Sequence, residues 1–92
     1  MPEFTPARLK QIRSHDIRDI GLGPAAQQSL RLAGINTLGD LERCAAQGIY
    51  YVEAKVILSD LKHIGPAKIE IIRRMLHMYG LTFRDEVNLS RP

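Results

Sequence analysis

Apolar residues recur at helical spacing in several stretches, each bounded by glycine, proline or threonine. In the longest of these, Ile69, Ile72, Leu76 and Tyr79 share one side of a 3.6-residue period. Gly65-Pro66 opens that run and Gly80 closes it. A permissive glycine followed by proline at the first helical position suits a helix start, because the missing N–H is one the helix does not use. The same device, Gly21-Leu22-Gly23-Pro24, precedes Ala26, Leu30 and Ala33 at i, i+4 and i+7, which predicts a helix from Pro24 to about Ala33. Gly34 is placed to end it, with Ile35 packing back on its last turn. Thr5-Pro6 reads as an N-cap and first helical residue for a short helix over Pro6 to Ser14, with Phe4, Leu9 and Ile12 facing inward. Thr37 caps a further short helix through Leu38, Leu41 and Ala45, ending near Gly48.

Two stretches are less regular. Ile49 to Val52 has strand character taken alone. Tyr51, Ala54, Leu58 and Leu61 nevertheless keep helical spacing, and an unpaired strand is unstable, so a helix is expected from about Tyr51 to Leu61. Leu81 and Phe83 close the core, and the apolar-poor segment from Arg84 onward reads as a tail. The fold class is therefore all-α: a compact bundle of about five short helices with two helix-hairpin-helix elements.

On the last helix, Ile71, Met75 and Met78 form a second apolar stripe beside the first, while Glu70, Arg73, Arg74 and His77 take the opposite side. The two stripes together are wider than a one-sided core needs. Either the segment around Tyr50 and Tyr51 covers the second stripe, or these residues form a protein interface, with a homodimer as one form of it.

With 92 residues, one domain is the expectation, and a net charge of +3 permits an anionic partner without demanding one. Cys44 is alone, which excludes an internal disulfide and points to a reducing compartment, hence the cytoplasm. No apolar run approaches membrane-spanning length and no signal-peptide pattern opens the chain. His15, His63 and His77 lack ligand spacing, and no nucleophile–base pattern stands out, so no metal, cofactor or catalytic role is expected. Gly-Pro turns aim free backbone amides outward at a helix start, which suits a phosphate. Two copies in one chain read as a module that grips a nucleic-acid backbone. Gly21, Gly23 and Gly65 are its turn residues, and Arg31 and Lys68 are among its nearby cations. The tight helix entry at Gly65 should resist a side chain, and Gly65→Val would cost ~1–3 kcal/mol if the glycine has positive φ.

The segment Leu30-Arg31-Leu32-Ala33-Gly34-Ile35-Asn36-Thr37-Leu38-Gly39-Asp40-Leu41, followed by Leu61-Lys62-His63-Ile64-Gly65, a long helix and Gly80-Leu81, resembles the C-terminal domain of the bacterial RNA polymerase alpha subunit. The likeness runs over residues 17–83, leaving 1–16 as an N-terminal extension and 84–92 as the tail. It implies a bundle of short helices that touches the DNA minor groove and transcription proteins. Ala25 stands where the family has a groove-entering arginine, Gln28 replaces an asparagine, and Ser29 keeps a small residue. His63 replaces an asparagine, Ala67 a lysine, Lys68 a serine and Ile71 an acid. Between Leu41 and Ile64 the chain is longer than the family pattern by roughly two helical turns, an insertion at 45–55. The expectation is a transcription-related module that binds duplex DNA weakly, through the backbone and with salt sensitivity, using Gly21, Gly23, Gln28, Ser29, Arg31, His63, Gly65 and Lys68. The alternative is an interaction or dimerisation domain of the same fold without DNA binding, using Tyr50, Tyr51, Ile71, Met75 and Met78.

Overall fold

The structure is a computed structural model that describes residues 5–47 and 53–86. Four α-helices form among them: α1 (Pro6–Arg13), α2 (Pro24–Leu32), α3 (Leu38–Glu42) and α4 (Pro66–Met78). Three 3-10 turns, Ile17–Ile20, Leu58–Asp60 and Arg84–Glu86, join or follow them. The described residues contain no strand, only isolated bridges at Asp16–Thr37 and Ala45–Ile57. The domain is thus mostly helical.

The capping chemistry explains the boundaries. The Thr5 hydroxyl accepts from the Arg8 N–H, and Thr37 with Asp40 forms a reciprocal capping box at α3. α2 and α4 both start on Gly-Pro and carry no side-chain cap. Each also ends in a glycine of positive φ, Gly34 at 84° and Gly80 at 78°. Ile35 and Leu81 follow those glycines and send their N–H groups back to Leu30 O at 2.9 Å and Leu76 O at 2.7 Å, as Schellman endings do.

The core gathers Ile12 from α1, Ile17 from the first 3-10 turn, Leu30 and Ile35 around α2, Leu41 from α3, and Ile72 and Leu76 from α4. Leu58, Leu81 and Phe83 complete it. The N-terminal segment is part of this packing: α1 lies on α3 so closely that a Cβ at Gly39 would sit 3.1 Å from both Cβ and the carbonyl oxygen of Arg13.

Four expectations are corrected. The helix foreseen from Tyr51 to Leu61 does not form over its described part, 53–61. Lys55 N–H donates to Arg43 O at 2.9 Å, Ala45 N–H to Val56 O at 3.0 Å and Leu58 N–H to Ala45 O at 2.8 Å, so this backbone pairs with the chain leaving α3. α3 correspondingly stops at Glu42, and Ala45 is buried in the bridge rather than in a helix. Gly65 has φ −97° and ψ −176°, an extended conformation open to any residue, and a Cβ there meets nothing within 4 Å. The large cost expected of Gly65→Val therefore loses its basis. The left-handed residue of that hairpin is His63, at φ 64°. Finally, the foreseen tail begins as a tethered turn: Arg84 N–H donates to Cys44 O at 2.8 Å, and the Asp85 carboxylate accepts from Ala46 N–H at 3.1 Å and Gln47 N–H at 3.3 Å. Glu86 pairs with Arg73 at 2.7 Å.

Candidate nucleic-acid interface

Each hairpin is a 3-10 turn, a short connection and a Gly-Pro helix start. In the first, Gly21 (φ 78°) and Gly23 (φ 93°) turn the chain while Leu22 is buried between them. In the second, His63 makes the turn and Ile64 is buried. Buried Leu22 and Ile64 anchor the loops, so the exposed residues on either side are held at the surface. The first helical bonds are Gln27 N–H to Gly23 O and Ile69 N–H to Gly65 O, each 3.0 Å. The amides of Ala25, Ala26, Ala67 and Lys68 therefore stand ahead of the helical ladders, with no side-chain cap at either end.

Lys68 joins the two hairpins. Its Nζ, half-buried on the first turn of α4, donates to Leu22 O at 2.7 Å. The two uncapped helix starts are therefore within one lysine side chain of each other. Beside them, Ala25, Gln28, Ser29 and Leu32 of α2 face Lys62 and His63 of the second hairpin across a groove of about 220 Å³. Gln28, Ser29 and His63 come together as the sequence implied. Lys62, a cation the sequence already puts beside the second hairpin, joins them, and so does Leu32, which was unforeseen; Leu32 is 81% exposed, and its place one turn beyond Gln28 on α2 was the available signal.

Arg31 does not belong to this groove. Its guanidinium donates to Asp16 Oδ1 at 2.7 Å and Asn36 Oδ1 at 3.1 Å, holding the chain before the first hairpin against the end of α2. The Arg18 backbone N–H and the Arg31 guanidinium hold the Asp16 carboxyl below its ordinary value of 3.8. At Asp40 burial pushes upward, but the Asn36 N–H, Lys55 and the Thr37 N–H outweigh it, and the net shift is also downward. A carboxyl with a lowered folded value stabilises the fold above its unfolded pKa and loses that contribution as pH falls through the folded value. The urea midpoint should accordingly be level with respect to these groups above about pH 5 and decline below about pH 4. Asp16→Asn and Asp40→Asn should each flatten that decline, and an unchanged acid limb in both variants would contradict the assignment.

The second candidate surface is only partly within view. Ile71 is 40% and Met78 68% exposed, with Met75 half-buried between them. Tyr50 and Tyr51, and the expected contact of Tyr51 or Val52 with this stripe, lie outside the described residues. Cys44 is buried, donates to Asp40 O at 3.3 Å, and has its thiol pushed up to about 11 by burial, which leaves it a poor nucleophile. Among the described residues no group of three His, Cys, Asp or Glu is placed to hold a metal, and no helix is long and apolar enough to cross a membrane. Comparison of the chain with protein-family models, curated proteins and solved structures returned no match.

Proposed function

We propose that this chain is a non-enzymatic, transcription-related module of the cytoplasm that binds duplex DNA weakly, through the phosphate backbone, with the paired hairpins as the contact. One observation carries the reading: the two uncapped Gly-Pro helix starts are tied together by the Lys68–Leu22 bond. Unsatisfied helix-start amides favour an anion, and two side by side suit successive phosphates. Gln28, Ser29 and His63 add donors, and exposed Lys62 adds charge on the same groove. Ala25 offers no cation to a narrow minor groove, so the contact is to the backbone rather than to sequence.

The test is fluorescence anisotropy on unrelated duplexes across a salt series. Affinity should fall steeply with salt and differ little between sequences. Lys62→Glu should weaken every duplex alike and reduce the salt slope by about one. Selective binding that survives high salt, or no binding at low salt, would overturn the reading.

A second reading is favoured by the exposure of Ile71 and Met78 on α4, large apolar side chains unusual to leave uncovered in a small domain. Under it the module docks a protein or a second copy through that stripe. Mass measured at rising concentration, with Met78→Glu as the disrupting variant, separates it from the first.

A further inference from the structure

A sizeable hollow in the described structure lies away from both hairpins. It has a volume of about 610 Å³ and is formed where the end of α1, the end of α3, the 53–55 segment and residues 82–84 meet. Such a volume falls in the range that holds small ligands. Four cations line it, Arg13, Arg43, Lys55 and Arg84, against the carboxylates of Glu42 and Glu53. An adjoining hollow of about 450 Å³ shares Arg13, Glu42 and Arg43 and adds Lys10 and Asp40. Five cations against three carboxylates place in one concavity two of the three net positive charges that the whole chain carries. The hairpin groove, by contrast, has Lys62 and His63 alone.

The ion pairs divide the cations into fixed and available. Arg13 is held by Glu42 in a two-bond fork, Nε to Oε1 at 2.7 Å and Nη2 to Oε2 at 3.0 Å. Lys55 reaches Asp40 at 3.2 Å. Arg84 meets Glu53 only at 3.5 Å with both side chains well exposed, a contact of little strength. Arg43 has no ion-pair partner among the described residues. Its backbone is nonetheless held on both sides: its N–H donates to Asp40 O at 3.2 Å and its carbonyl accepts from Lys55 N–H at 2.9 Å. A fixed backbone, an unpaired guanidinium and a loosely paired Arg84 across the same hollow form a two-arginine clamp for oxyanions. Thr82 adds a hydroxyl on the wall. Among the described residues the lining is polar and charged, with no aromatic ring.

We infer that this cleft is a second anion site, which takes a run of adjacent phosphates between Arg43 and Arg84. The phosphates come either from a free polyphosphate or from a phosphodiester backbone, and the two sources call for separate arms of one experiment. The intact chain is titrated calorimetrically with tripolyphosphate, against sodium chloride at matched ionic strength. Arg43→Glu should raise the Kd about tenfold, the loss of a charge-assisted contact, while its circular dichroism and thermal midpoint stay near wild type. Arg43→Glu should cost the same roughly tenfold in tripolyphosphate affinity on a Lys62→Glu background, which separates this site from the proposed DNA contact. Duplex DNA is then titrated with the same variants: loss in Arg43→Glu identifies a phosphodiester backbone, and retention identifies a free polyphosphate. Equal tripolyphosphate binding by wild type and Arg43→Glu, or heat no greater than chloride produces, overturns the inference.

Discussion

Phe83→Ala is expected to lower the unfolding free energy by about 3–5 kcal/mol, the range for emptying an aromatic site in a packed core. Phe83 is completely buried, and it follows α4 in the chain rather than belonging to it. Its ring lies beneath the Arg73 guanidinium at 5.8 Å, and Arg73 in turn pairs with Glu86 and Glu70. The next residue, Arg84, bonds Cys44 O, so the ring sits at the point where the C-terminal turn is fastened to the loop after α3. Removing it opens a cavity and loosens that fastening together. A domain of this length holds about 5–10 kcal/mol in total, so the variant should lose about a third or more of its stability. Phe83→Leu, which keeps most of the volume, should lose about 1–2 kcal/mol. Urea denaturation of the three proteins checks both values. A loss below about 1 kcal/mol in Phe83→Ala would mean the ring is not in the core.

The second large effect is expected at Gly39, where Gly39→Val should cost about 1–3 kcal/mol through overpacking. Gly39 lies inside α3, where glycine is ordinarily a liability of about 1 kcal/mol against alanine. Its presence has a steric reason. A Cβ there would stand 3.1 Å from Arg13 Cβ and 3.1 Å from Arg13 O, and a backbone oxygen cannot rotate away as a side-chain end can. Valine forces α1 off α3 and disturbs the Arg13–Glu42 fork that spans them. It also regains little helix propensity, since it is β-branched. Gly39→Ala sets the gain in propensity against a smaller clash, and its cost should be lower than that of valine. If Gly39→Val melts at the wild-type temperature, the close packing of α1 on α3 is wrong.

The starts of the four helices, and the ends of α2 and α4, were legible in the sequence because each is signalled locally; the end of α3 was not. Thr5 and Thr37 cap, Pro6, Pro24 and Pro66 occupy first positions, and Gly34 and Gly80 terminate. Helix formation depends on bonds between near neighbours, so near neighbours announce it. The groove was partly legible for the same reason: Gln28 and Ser29 share a helix turn, and His63 precedes the second helix start. The rest was decided by contacts between parts of the chain far apart. The segment 53–57 keeps helical spacing, yet its backbone bonds to Arg43 and Ala45, whose free groups exist only because α3 ends where it does. The turn before α4 needed one left-handed residue, and the burial of Ile64 put it at His63, a residue type that tolerates that region, rather than at Gly65. Arg31 and Lys68 carry the same charge in the sequence as any solvated cation. Asp16, 15 positions from Arg31, and the Leu22 carbonyl, 46 positions from Lys68, turn them into ties of the scaffold. The cleft of Arg13, Arg43 and Arg84 has no signature along the chain at all, because its cations come from separate segments that meet only when the core closes around Phe83.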